Sequence, residues 1–127
     1  MNDDIKNKSE GTLNNLLYEF MSQADRLSEL SRLVGKLRFA SEEWEGFYDK
    51  VMIEEVEAEI LLLSTYLPDN YRIMEVVQSA KLWNDSGSVL TQLYLDRCQK
   101  LHENNYVEVQ QIEEKIRWLE SFLDQFR

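Results

Sequence analysis

Cysteine, proline and glycine are all scarce in this chain, which has one, one and four of them in 127 residues. A single cysteine excludes the intrachain disulfide framework of small secreted proteins. The longest apolar run, Ile60 to Leu63, is too short to cross a bilayer, which takes about 20 apolar residues. The N-terminal residues are polar and lack the apolar segment of a signal peptide. We therefore expect a soluble protein in a reducing cytoplasm, without a membrane partner.

Basic residues are outnumbered, with 14 Lys and Arg against 24 Asp and Glu and a formal net charge of −10. Nucleic-acid binding that is independent of base sequence depends on Lys and Arg neutralising phosphates. The charge balance therefore argues against nucleic acid as a ligand and favours another protein, of basic character, as the partner. The chain also has a single histidine and no Gly-rich phosphate loop, so no cofactor is expected.

The apolar and charged side chains, at 43% and 30%, are present in the proportions of a folded and mostly helical protein. A length of 127 residues fits one domain with a modest core. Residues 1–11 are polar, include Gly11 and show no periodicity, which indicates a flexible N-terminal tail. We expect a single all-α domain over residues 12–127.

The first two helices are predicted from apolar residues at spacings of three and four. Helix one begins at Thr12 as N-cap, and helix two begins at Ser41 as N-cap and runs to Pro68. The apolar residues of helix one are Leu13, Leu16, Leu17, Phe20, Ala24, Leu27, Leu30, Val34 and Leu37. Charge changes sign at Ala40-Ser41, from a basic to an acidic segment, so the helices would attract each other when folded back. We expect a helical bundle built on this long antiparallel hairpin.

About three further helices are predicted to pack against the hairpin. The third runs from Ile73 to Trp83 and ends at the turn-forming run 84–87, and the fourth covers residues 90–101. The last helix follows a break at Asn104-Asn105. Its coiled-coil seam consists of Val109, Ile112, Ile116, Leu119, Leu123 and Phe126. This seam faces either the rest of the bundle or a second copy of the chain, which would give a homodimer.

Two glutamates of helix two, Glu55 and Glu59, lie one turn apart and close to its apolar face. Carboxylate oxygens suit Mg²⁺, and the pair resembles the helical glutamates of the all-α nucleotide pyrophosphohydrolases of the MazG type. The resemblance implies a metal site at these two residues. The other interpretation, which we favour, is that the glutamates flank the core and pair with basic residues of helix one. Those basic residues are Arg26, Arg32, Lys36 and Arg38.

Arg97 and His102 lie five positions apart in helix four. The pattern resembles the Arg-x4-6-His motif of HEPN-domain ribonucleases, which are helical bundles of about this length. The resemblance implies that Arg97 steadies phosphate charge and that His102 acts in general acid–base chemistry during metal-independent RNA cleavage. On a straight helix the two side chains point about 140° apart, so this site requires a bend near His102. The other interpretation is an exposed histidine at a helix C-terminus.

Non-catalytic protein binding is the function that the sequence favours, as in an adaptor, a small chaperone, an antitoxin-like protein or a phage-type inhibitor. An endoribonuclease of HEPN type is the alternative. Two surfaces are candidates for the partner, one acidic and one aromatic. The acidic residues are Glu42, Glu43 and Asp49, and the aromatic residues are Trp118, Phe122 and Phe126. These aromatic side chains, together with Trp83, either fill a core between helices three and five or line an exposed groove for a partner helix.

Overall fold

The computed structural model describes residues 13–42 and 49–124. Residues 13–20 are helical and are called α1 below. The other elements are α2 (Gln23–Ser41), α3 (Lys50–Ser64), a 3-10 turn (Asp69–Tyr71), α4 (Ile73–Ala80), α5 (Asp85–His102) and α6 (Tyr106–Asp124). The expectation of an all-α protein is confirmed for these residues, whereas the predicted tail over residues 1–11 lies outside them. None of the described helices combines the length and apolar character needed to span a membrane.

The first helix is broken at Ser22, so the prediction of one continuous helix is wrong. Ser22 has an extended backbone, and its side-chain oxygen accepts a hydrogen bond from the backbone N–H of Asp25 at 3.1 Å. This is the geometry of an N-cap, and it begins a new helix, α2. Arg26 holds the break together, because its guanidinium donates to the carbonyl oxygens of Tyr18 at 2.8 Å and Glu19 at 3.1 Å. Those carbonyls belong to the last turn of α1.

The start of the next helix also differs from the prediction. Ser41 is the last residue of α2 and is buried, so it does not cap the helix that follows. Asp49 is the N-cap of α3, and its carboxylate accepts a hydrogen bond from the backbone N–H of Met52 at 3.0 Å. Serine and aspartate are both good N-caps. The pattern of capping residues alone therefore did not decide between the two positions.

Helices α2 and α3 pack against each other. At one end the backbone N–H of Asp49 donates to the carbonyl of Ala40 at 3.1 Å. At the other end the carbonyl of Tyr66, just after α3, accepts hydrogen bonds from the side chains of Gln23 and Arg26. Backbone groups close to the helix ends therefore connect the pair.

The predicted ion pairs between these two helices do not occur among the described residues. Arg32 pairs with Glu29 of its own helix. Arg38 donates instead to backbone carbonyls of the α4–α5 connection, including that of Leu82 at 3.3 Å. The contacts that join α2 to α3 therefore could not be deduced from the change of charge sign along the sequence.

The core lies between α2, α3, α4 and α5, with one face of α6 closing it. The largest fully buried side chains are Tyr94, Leu30, Leu33, Leu37, Ile60, Leu63, Ile116, Val34, Val76 and Cys98. Of the predicted apolar stripe, Leu27, Leu30, Val34 and Leu37 in α2 are buried as expected, whereas Ala24 at the start of α2 is exposed. The α1 part is exposed, because the break at Ser22 separates it from the helix that enters the core.

Two asparagines direct the chain into the last two helices. Asn84 is the N-cap of α5, which continues through residues 85–87, so the predicted turn over 84–87 is wrong after its first residue. At the other end, Asn104 has a left-handed backbone with φ of 59°, and its N–H donates to Leu101 while that of Asn105 donates to Lys100. This is a Schellman motif, which ends α5. The break predicted at Asn104-Asn105 is confirmed.

Candidate functional site

One face of α6 is buried against the rest of the protein. Val109 and Ile116 are buried, and Ile112, Leu119 and Leu123 pack against the core. Helix α6 makes its main contacts with α5. The predicted seam therefore faces the bundle, and a homodimer through the same seam would have to displace α5.

The opposite surface of α6 carries two large aromatic side chains in contact with solvent. Trp118 is 69% exposed and Phe122 is 44% exposed. Their rings stack on each other, with 5.7 Å between centroids and 12° between planes. This pair of side chains therefore does not fill the core. Phe126 lies outside the described residues. A shallow depression of about 410 Å³ lies beside Trp118 and is also lined by Gln111, Glu114 and Lys115.

A second exposed apolar surface lies on α1, and the sequence analysis placed it in the core. Leu13, Leu16, Leu17 and Phe20 are all exposed, Phe20 to 85%. Among the apolar side chains of α1, Tyr18 alone is buried, and its ring packs edge-on against that of Tyr66. The spacing of three and four predicted helical structure here, but neither the break at Ser22 nor the side of α1 that meets the core.

The predicted acidic surface has a partly structural role. Asp49 is exposed, but its carboxylate caps α3. Glu42 is half-buried directly after α2, and Glu43 lies outside the described residues. Two other glutamates, Glu54 and Glu55, are exposed on α3. Negative charge is thus presented to solvent on this helix, beyond the positions named from the sequence.

The two glutamates that were considered as metal ligands lie in different surroundings. Glu55 is exposed, whereas Glu59 is half-buried beside a cleft that is also lined by Glu29, Arg32 and Lys36. The basic side chains of Arg32 and Lys36 thus border the same cleft as Glu59. Over the described ranges, no group of three or more His, Cys, Asp or Glu side chains is arranged to hold a metal ion. No described contact supports a metal site at these residues.

The contacts that Arg97 makes connect separate parts of the fold. Arg97 is 7% exposed, pairs with the carboxylate of Glu113 on α6 at 3.0 Å, and donates to the carbonyl of Asn70 at 2.6 Å. The α-helix runs without interruption to His102, its last residue, so Arg97 and His102 lie on one continuous helix. Next to Arg97, burial raises the pKa of the Cys98 thiol to about 11, and that thiol donates to the carbonyl of Tyr71. Cys98 is completely buried, and a buried thiol with a raised pKa is unreactive.

The described surface therefore offers exposed apolar side chains on α1 and α6 and exposed carboxylates on α3. Exposed apolar patches and surface charge are features that association sites use. No family model, no curated protein and no solved structure matches this chain.

Proposed function

We propose that the protein is a non-catalytic protein-interaction module that binds its partner through Trp118 and Phe122 on the outer face of α6. The observation that carries this proposal is the exposure of both rings, stacked on each other, on a helix whose other face is buried. Tryptophan is among the residue types most enriched at energetically dominant interface positions.

The stacking of the pair favours binding for an entropic reason. A side chain that is already held by a neighbour loses less conformational freedom when a partner covers it, so more of the burial energy appears as affinity. Glu114 and Lys115 lie beside Trp118 and supply charged groups around the apolar centre. An apolar centre with a polar rim is the usual anatomy of a protein interface.

The bundle behind this surface is proposed as a rigid frame. The α2–α3 pair forms the base of this frame as a hairpin. Helix α5 packs against α6 and is joined to it by the Arg97–Glu113 ion pair, so α5 holds α6 in place. The apolar face of α1 is available as a second contact with the same partner. The proposal needs only the α6 surface to be correct.

A basic partner would be attracted by the net charge of −10 and by exposed carboxylates such as Glu54 and Glu55 on α3. Electrostatic attraction of this kind acts mainly on the association rate and weakens with salt. Replacing both residues with lysine is expected to slow association at low ionic strength and to matter less in salt. An unchanged association rate at low ionic strength would contradict a role for these charges. Asp49 is unsuitable for this test because it caps α3.

The alternative function is HEPN-type RNA cleavage by Arg97 and His102, and no described contact favours it. It predicts metal-independent cleavage that is abolished in His102→Ala. Activity that persists in a clean preparation of this variant would exclude the two-residue mechanism.

Affinity capture from the native lysate with quantitative mass spectrometry tests the main proposal. The bait is compared as wild type, Trp118→Ala and Val107→Ala, the last being a matched control because Val107 is also an exposed apolar residue of α6. We expect one stoichiometric partner, recovered at least about tenfold less with Trp118→Ala, since central interface residues contribute about 2 kcal/mol or more. Val107→Ala should retain it. Equal recovery with all three baits would refute the proposed surface.

A further inference from the structure

A cleft of about 350 Å³ lies where α4, α5 and α6 meet, and neither Trp118 nor Phe122 lines it. Its polar lining includes Arg72, Glu75, Tyr94 and Glu120. Leu82, Leu90 and Leu123 line it as well, so the cleft combines charged groups with apolar walls. Ligand sites of small molecules usually have this mixture, in volumes of about 300–1,000 Å³. None of these polar residues was a candidate in the sequence, because they come from three separate segments.

Arg72 is held at this cleft by contacts that are all long. Its guanidinium lies over the ring of Tyr94 at 5.2 Å from the centroid, with one nitrogen 3.5 Å from the hydroxyl, and pairs with Glu75 at 3.6 Å. Arg97, by contrast, makes contacts of 2.6 and 3.0 Å with its acceptors. Arg72 also has a left-handed backbone, with φ of 55°, which is uncommon for a residue with a long side chain. The guanidinium is thus positioned but not closely engaged.

Glu120 brings the opposite charge to the same place. The hydroxyl of Tyr94 donates a hydrogen bond to its carboxylate. Tyr94 is only 2% exposed, so its hydroxyl is a fixed point in the bundle. The guanidinium of Arg72 and the carboxylate of Glu120 therefore flank one immobile hydroxyl at the edge of a cavity.

We propose that this cleft binds a free α-amino acid with an apolar side chain. Arg72 would bind the α-carboxylate, since guanidinium groups bind carboxylates through two parallel hydrogen bonds. Glu120 would accept hydrogen bonds from the α-ammonium group. The ligand's side chain would pack against Leu82, Leu90 and Leu123. This ligand site goes beyond protein binding and does not depend on the α6 aromatic surface.

A ligand with both charges fits the cleft better than a ligand with one. A simple cation would satisfy Glu120 but would place like charge beside Arg72. A simple anion would satisfy Arg72 but would meet two carboxylates, those of Glu75 and Glu120, in a protein with a net charge of −10. Only a zwitterion pairs with both kinds of group at once.

Three probes that differ in one charged group each test the proposal on the full-length, ¹⁵N-labelled protein. They are L-leucine, isoamylamine, which lacks the carboxylate, and 4-methylpentanoate, which lacks the ammonium group. Each is titrated at constant pH and ionic strength while amide chemical shifts are recorded. We expect leucine to shift amides around the cleft saturably, and each truncated probe to bind at least about tenfold more weakly, because a hydrogen-bonded charge is lost. Glycine should also bind more weakly, since it lacks the apolar side chain.

Two variants and a matched control locate the site. Glu120→Gln removes the charge that would bind the ammonium group, and Arg72→Asn removes the guanidinium while keeping a residue that tolerates a left-handed backbone. Both should weaken leucine binding at least about tenfold, whereas Asp96→Asn, which changes an exposed carboxylate of α5 outside the cleft, should not. Thermal unfolding of each variant establishes that it is folded.

Three results would overturn the proposal. The first is that leucine shifts no amide at millimolar concentration, the second is that isoamylamine binds as tightly as leucine, and the third is that the Asp96→Asn control loses as much affinity as Glu120→Gln. The second result would identify a cation site instead. Loss of the protein partner in Trp118→Ala would be unaffected by any of these outcomes, so the two proposals fail separately.

Discussion

Helices α2 and α6 have the same length, 19 residues, but occupy different positions in the bundle. Helix α2 packs against α3, α4 and α5, whereas α6 packs mainly against α5. Leu30, Leu33 and Leu37 of α2 are completely buried, while Trp118 of α6 is largely exposed. Helix α2 buries one face against three helices, although Phe39 on its other face is 71% exposed, whereas α6 covers the core from one side.

This difference separates stability from binding. A helix that contacts three others contributes to the folding of the whole chain, so changes in it affect every function. A helix with one buried face can present the other to a partner without weakening the core. We therefore predict that substitutions at the buried positions of α2 reduce the free energy of unfolding, and that substitutions on the outer face of α6 reduce affinity alone.

The largest effect is expected for Leu33→Ala in α2. It removes a fully buried side chain and leaves a cavity, which costs about 2–5 kcal/mol in the free energy of unfolding. Leu119→Ala in α6 is the matched variant and should cost less than half as much, because Leu119 is only partly buried. Urea denaturation of both proteins measures the two values. Equal losses would mean that α6 is as central as α2.

Gly87→Ala should destabilise the protein by about 2 kcal/mol or more. A Cβ at this position would collide with the backbone carbonyl of Leu82, which cannot move away as a flexible side chain could. The clash lies at the start of α5, the helix that connects α6 to the core. Thermal unfolding of the variant tests this, and a midpoint equal to that of wild type would contradict the close packing of the α4–α5 connection.

Glu113→Ala should loosen α6 selectively. It leaves the buried guanidinium of Arg97 with the carbonyl of Asn70 as its remaining partner, at a cost of about 1–3 kcal/mol. Amide hydrogen exchange should become faster in α6 while the α2 amides change less. Glu114→Ala serves as the control, since Glu114 is exposed on the same helix. Equal acceleration in both helices would show that α6 does not open separately.

Gly35→Ala in α2 should stabilise the protein by about 0.5–1 kcal/mol. Glycine is unfavourable inside a helix, and no atom lies within 4 Å of the place that the new Cβ would occupy. Gly87→Ala provides the opposite case at a second helical glycine. The prediction is checked by the same denaturation experiment, and destabilisation by Gly35→Ala would place an unseen contact on this face of α2.

The smallest effect on stability is expected for Trp118→Ala. The side chain is mostly in water, and surface substitutions usually change the free energy of unfolding by no more than about 0.5 kcal/mol. A loss of several kcal/mol would mean that this ring supports the fold. A ring that supports the fold would not be available to bind a partner.

Helix type and several boundaries were predictable because they depend on local chemistry. Asn104-Asn105 ended a helix as expected, since asparagine tolerates the left-handed backbone that a Schellman motif requires. The break at Ser22 was missed because the apolar spacing continues across it. Only the capping hydrogen bond to Asp25, together with Arg26 binding the last carbonyls of α1, identifies it.

Contacts between distant segments were not predictable from the pattern. Arg97 was a candidate catalytic residue until its partners, Glu113 and Asn70, were located 16 and 27 positions away. The cleft at Arg72 and Glu120 was missed for the same reason, since its groups come from α4, α5 and α6. By contrast, a tryptophan beside a coiled-coil seam did indicate that α6 has more apolar surface than one narrow interface uses.

Photo-crosslinking from position 118 tests the central claim most directly. Trp118→p-benzoylphenylalanine is compared with Val107→p-benzoylphenylalanine in the native lysate, because both positions are exposed on α6. The account predicts one predominant adduct with a single protein from position 118 and little or none from position 107. No adduct from position 118, or the same adducts from both positions, would contradict it.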